Sequence, residues 1–120
     1  MNDKCVLVCE DDEGITDIAQ IVLESRGYNV IIQNDSTGVY NRIAEVKPDL
    51  ILLDLWMPGL SGEEITRQLK ADPQTKHIPI IIMSANKDTA QIAREAGAEA
   101  FLAKPFDIVA LENIVEVHLR

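Results

Sequence analysis

Five short apolar segments recur along the 120-residue chain: CVLVC (5–9), NVIIQ (29–33), DLILLD (49–54), PIIIMS (79–84) and AFLA (100–103). Their hydrophobicity is continuous rather than alternating and rich in Val, Ile and Leu, which predicts strands covered on both faces. The stretches between them carry helical spacing. Ile15, Ile18, Ala19, Val22 and Leu23 follow the i, i+3, i+4, i+7, i+8 pattern of one buried face, and Arg26-Gly27 reads as a stop. A second helix is expected after Asn34-Asp35-Ser36, whose side chains offer caps, carrying Val39, Ile43 and Val46 and closed by Pro48. Ser61 is expected to cap a third, with Glu63 and Glu64 in its first turn and Ile65 and Leu69 packing inward before Asp72-Pro73 breaks it. A fourth is expected over about 87–96, ending at Gly97. The fifth, over about 107–119, places Ile108, Leu111, Ile114, Val115 and His118 on one side.

Strand followed by helix, five times, without repeats, low-complexity tracts or a linker, predicts a single α/β domain over residues 1–120. The architecture that satisfies right-handed crossovers is a doubly wound, parallel five-stranded sheet with helices on both faces. Ligands of such sheets sit outside the carboxyl ends of the strands.

Composition narrows the function. With 47% hydrophobic and 26% charged residues the chain can build a core and is not a disordered segment. A net charge of −9 opposes nonspecific attraction to nucleic acid or to anionic membrane. No apolar run approaches the ~20 residues of a membrane helix, and MNDKCVLVCEDD has no signal-peptide pattern, so the cytoplasm is the expected location. Cys5 and Cys9 lie on one face of a strand with α-carbons ~13 Å apart, too far for a disulfide, and read as small core residues.

The strand ends are polar. Glu10-Asp11-Asp12 follow the first strand, Asp54 ends the third, Ser84-Ala85 end the fourth, and the fifth runs into Lys104-Pro105-Phe106. Taken singly, an acidic triplet is a solvated helix start, the serine a turn residue and the lysine surface. On one rim, however, several carboxylates repel one another unless a cation is present, so Glu10, Asp11 and Asp54 form a candidate hard-cation site suited to Mg²⁺. A lysine and a hydroxyl across the pocket add a fixed positive charge and a donor for anionic oxygens. The implied guest is a phosphoryl group.

With the acidic pair, LLDLWMPGLSG, MSA and KPF in this order, the chain resembles the receiver domain of two-component response regulators over essentially its whole length. Asp54 and Ser84 are thirty residues apart and Ser84 and Lys104 twenty, close to that family's layout. The resemblance implies a flavodoxin-like sheet of order 2-1-3-4-5. It implies Asp54 as phosphoacceptor, taking a phosphoryl group from a histidine kinase or histidine phosphotransfer protein, in a domain that catalyses its own phosphorylation and slow dephosphorylation. Mg²⁺ would be held by Glu10, Asp11, Asp54 and the backbone carbonyl of Trp56; Asp12, a less regular third acid in that family, is expected first as a solvated helix start and only second in a supporting place at the metal. Lys104, ahead of a cis Lys-Pro bond, and Ser84 would bind phosphoryl oxygens. Ser84 and Phe101 would switch the surface of the fourth helix, fifth strand and fifth helix, and Trp56, Ala85 and Asn86 would tune the site. The reader of that surface would be a downstream protein or a C-terminal output domain.

Rival readings lack a residue each. A haloacid-dehalogenase-type phosphatase wants a second acid two residues after the nucleophile, where Trp56 stands. A nucleotide- or flavin-binding module needs a phosphate loop after the first strand, where the acids stand. A receiver degraded to a docking module would not be expected to keep all of Glu10, Asp11, Asp54, Ser84 and Lys104.

Overall fold

The computed structural model describes residues 3–35, 37–57, 59 and 61–120. Strands β1 (Cys5–Cys9), β2 (Asn29–Gln33), β3 (Leu50–Asp54), β4 (Ile80–Ser84) and β5 (Ala100–Ala103) alternate with helices α1 (Glu13–Ser25), α2 (Val39–Val46), α3 (Gly62–Ala71), α4 (Ala90–Ala96) and α5 (Ile108–Leu119). All pairings are parallel, in the order β2-β1-β3-β4-β5. This is the flavodoxin-like receiver fold, with β1 and β3 adjacent at the centre where the strand order reverses.

The continuous hydrophobicity of the strands is explained by two cores, one on each face of the sheet. Leu7, Cys9, Ile51, Leu53, Ile80 and Ile82 point toward α2, α3 and α4 and meet Val39, Ile43, Ile65, Leu69 and Ala93. The alternate residues Val6, Val8, Leu50, Leu52, Ile81 and Met83 meet Ala19, Val22 and Leu23 of α1 and Leu111 and Val115 of α5. Leu50 through Leu53 are completely buried, each such side chain contributing about 1.5–3 kcal/mol. β3 is thus a rigid mount for the residue that ends it.

Helix starts follow the capping chemistry in three cases. Asp12 Oδ1 accepts from the amides of Gly14 (2.9 Å) and Ile15 (3.2 Å), Ser61 Oγ from Glu64 (3.2 Å), and Asp107 Oδ1 from Ala110 (2.7 Å). The expected cap of α2 is different. Its N-cap is Gly38, in the left-handed region at φ 78° and with no side-chain hydrogen bond. Asn34 and Asp35 lie too far upstream, and Ser36 lies outside the described residues. The expected fourth helix is a 3-10 turn over Lys87–Thr89 leading into α4.

Two expected core residues are exposed. Ile18 is 49% exposed, whereas Thr16 is buried beside Ala19, Val22 and Leu23, with its hydroxyl satisfied by the Glu13 carbonyl at 3.1 Å. At 100° per residue Ile18 stands about 110° from the centre of that buried arc. Ile108 opens α5 one residue after its cap and is also exposed, so the inner stripe there rests on Leu111 and Val115. Both cysteines are free thiols. Among the described residues no helix is long and apolar enough to cross a membrane.

Candidate functional site

Parallel strands bring their carboxyl ends to one edge, and there the polar residues converge. One carboxylate oxygen from each of Glu10, Asp11 and Asp54 lies within 4.8 Å of the other two. Glu10 has no solvent exposure and Asp54 only 5%, while Asp11 is open to solvent. Lys104 reaches into the cluster from the end of β5, its Nζ 2.5 Å from Glu10 Oε1 and 3.2 Å from Asp54 Oδ1. Glu10 Oε2 accepts from the amides of Asp11 (2.9 Å) and Asp12 (3.4 Å). Burial pulls the Lys104 ammonium down, but the hydrogen bond it donates to Glu10 and the charges of Asp54 and Glu10 outweigh this and hold its pKa above the ordinary value.

One ammonium against three carboxylates leaves the edge negative. The donor set consists of hard oxygens, one of them open to solvent, which fits Mg²⁺, an ion that keeps several waters and takes few protein ligands.

The remaining expected residues surround this cluster. The Trp56 amide lies 3.4 Å from Asp54 Oδ1 and its ring turns outward, 61% exposed. Trp56 also forms an isolated bridge with Ser61 that closes the turn after β3; Pro58 of that turn lies outside the described residues. Ser84 is buried and its Oγ accepts from the Asn86 amide at 3.2 Å. Ala85 and Asn86 are exposed, and Asn86 Oδ1 accepts from the Asp88 amide at 2.9 Å, starting the 3-10 turn. Phe101 is half-buried against the α2–α4 core. The Lys104-Pro105 bond is cis. Asp12 faces α1 as its cap.

Sequence reasoning gave no role to Gly62. Its amide donates to the Leu55 carbonyl at 2.7 Å, and a Cβ there would stand 2.5 Å from the Asp54 carbonyl oxygen. Only glycine lets the start of α3 close against the backbone of Asp54. A glycine directly after a capping serine, at a position where glycine weakens a helix, is the signal that could have found it.

A family model described as Response regulator receiver domain matches residues 6–116. The chain is similar to the DNA-binding response regulator MtrA of Mycobacterium tuberculosis, 34% identical over 117 residues that make up 96% of this chain and 50% of MtrA, so it spans about half the length of that relative. It is 31% identical to the polar-differentiation response regulator DivK of Brucella anthropi, over 97% of this chain and 96% of DivK. Among solved structures it resembles the receiver domain of the sensor histidine kinase PA1611 of Pseudomonas aeruginosa, described with a magnesium ion coordinated in its active-site cleft. There the TM-score is 0.88 and the identity 28%, over 98% of each chain.

Proposed function

The chain belongs to the response regulator receiver domain family, and on that premise we propose that Asp54 accepts a phosphoryl group from a histidine of a kinase or phosphotransfer protein. The observation that carries the reading is Asp54 itself: a nearly buried carboxylate at the end of an all-apolar strand, within 4.8 Å of two more carboxylates and 3.2 Å from a lysine.

A carboxylate oxygen of Asp54 attacks phosphorus as the bond from phosphorus to the donor imidazole nitrogen breaks. The electron pair stays on that nitrogen, and an acyl phosphate forms on Asp54. The transition state is loose and spreads charge over three equatorial oxygens, so catalysis is mainly position and charge. Glu10, Asp11, Asp54 and the Trp56 carbonyl would hold Mg²⁺, which when bound offsets the charge of the incoming phosphoryl group. Lys104, already fixed by Glu10, directs its ammonium to a phosphoryl oxygen. The Ser84 hydroxyl exchanges its hydrogen bond with Asn86 for another phosphoryl oxygen, drawing the loop after β4 inward.

That movement is the output. Phosphorylation stabilises one of two packings of the region from β4 to α5 through its differential contacts with them. Phe101 follows the Ser84 loop, and because it has no hydroxyl the switch works by burial alone. The face of α4, β5 and α5 is read by a downstream protein or an output domain; this chain neither binds nucleic acid directly nor inserts into membrane.

The test is incubation with acetyl phosphate and Mg²⁺ followed by intact mass, comparing wild type with Asp54→Ala. Wild type gains one phosphoryl group and the variant none. Equal gain by both, or gain by neither, overturns the assignment.

A further inference from the structure

At the edge of the sheet opposite the acidic cluster, α2 and α3 diverge over a cleft of about 740 Å³, a size within the ~300–1,000 Å³ of small-molecule sites. Its floor is apolar, formed by Ile43, Pro48, Leu69 and Ile78, all buried. One wall includes Tyr40. An apolar floor of this kind describes space that packing of this chain leaves open.

The electrostatics select the sign of a guest. Both helices run back from the carboxyl edge of the strands, so both present their C-termini here: Ile43 and Lys47 at the end of α2, Leu69 and Asp72 at the end of α3. Helix C-termini carry partial negative charge and attract cations. Asp49 and Asp72 add two exposed carboxylates at the rim, against the single lysine Lys47. Close by, the protein's own Lys70 ammonium is held by the Glu99 carboxylate (2.7 Å) and by the carbonyls of Ile78 (2.7 Å) and Lys76 (3.1 Å). The whole chain carries −9.

We infer that the cleft between α2 and α3 binds a small organic cation, a primary ammonium carried on an aromatic or branched apolar body. The body lies on Ile43, Leu69 and Ile78, and the ammonium sits between the helix C-termini and Asp72. The site is separate from the phosphoryl chemistry, because it lies beneath the starts of β3 and β4 rather than at their ends.

Phenethylamine is the probe and 3-phenylpropionate its anionic counterpart, each titrated into ¹⁵N-labelled protein at physiological ionic strength and followed by amide chemical shifts. Phenethylamine gives saturable shifts concentrated in residues 40–49 and 69–78, and 3-phenylpropionate does not. Asp72→Asn weakens binding roughly threefold and Lys47→Gln strengthens it by a similar factor, the scale of one exposed charge. Ala44→Trp, at the exposed rim, fills the space and removes the shifts while the rest of the spectrum is kept. Equal response to the anion, or shifts that never saturate and scatter over the acidic surface, overturns the inference. So do phenethylamine affinities unchanged by Asp72→Asn and Lys47→Gln, which keeps the test open should Ala44→Trp fail to fold.

Discussion

The Lys104 ammonium lies 2.5 Å from Oε1 of Glu10, a carboxylate with no exposure to solvent. Through its second contact, to Asp54, the same ammonium ties together the ends of β1, β3 and β5. Removing one partner of a buried ion pair costs on the order of 3–5 kcal/mol, because the other charge is left uncompensated. Lys104→Met is therefore expected to melt well below wild type in the absence of divalent ions. On the proposed site Mg²⁺ would offset the same carboxylates, so it should raise the melting temperature of the variant more than that of wild type. Equal Mg²⁺ responses would show that the lysine and the ion do not share these ligands.

Alkaline pH should lower stability through two groups whose folded-state pKa values are both raised. The folded-state pKa of Lys104 lies above its ordinary value of 10.5. Its contribution is complete below that ordinary value and is lost as pH rises through the folded one. Burial pushes the Cys9 thiol from 9.0 to about 12, so its contribution is complete below pH 9 and is lost between 9 and 12, on the order of 4 kcal/mol in all. Chemical denaturation from pH 7 to 11 should show stability falling above pH 9, with a shallower fall in Cys9→Ala. A fall of identical steepness in the variant would exclude the thiol as its source. At pH 8, Cys9 in native protein should also resist thiol reagents.

The strands were legible because burial on both faces leaves a continuous apolar run, which a five-residue segment such as LILLD displays openly. Ser61 was legible as a cap because a hydroxyl followed by two acids has few other uses at a helix start. What could not be read locally is anything that depends on contact across the fold. Thr16 replaces Ile18 in the core only because α1 settles at one particular rotation over the sheet. The Glu10–Lys104 ion pair joins residues 94 apart in sequence. The acids, Ser84 and Lys104 were identifiable because parallel strands must bring their carboxyl ends to one edge. Their hydrogen bonds to each other and to Asn86 were not.

Gly62 offers a stability test at the site. A methyl group there would overlap the Asp54 carbonyl oxygen and the Leu55 α-carbon, at 2.5 and 2.8 Å. Both are backbone atoms that no rotamer change can move. Overpacking of this kind costs about 1–3 kcal/mol, which outweighs the ~1 kcal/mol by which alanine favours a helix over glycine. Gly62→Ala should thus lower the urea midpoint, and by shifting the end of β3 it should slow phosphorylation by acetyl phosphate. An alanine variant as stable as wild type, or more so, would show that the turn after β3 yields easily.

Trp56 joins a fixed backbone to a free ring. Its amide is 3.4 Å from Asp54 Oδ1 while the residue is 61% exposed, so the ring adds little to the core, and on the proposed reading it would hinder water at an acyl phosphate. Truncating it should leave the melting temperature nearly unchanged, as surface substitutions usually shift stability by no more than ~0.5 kcal/mol. It should shorten the phosphoryl lifetime, because Trp56→Ala opens the approach to phosphorus, and Trp56→Phe should fall between. A loss of ~1 kcal/mol from the hydrolysis barrier corresponds to roughly a fivefold faster decay. Decay of the phosphorylated protein, followed by phosphate-affinity electrophoresis after removal of the donor, measures this directly. If all three proteins lose the phosphoryl group at one rate, the ring does not guard the site. If decay quickens only in variants that also melt earlier, the cause is general loosening of the turn rather than access of water.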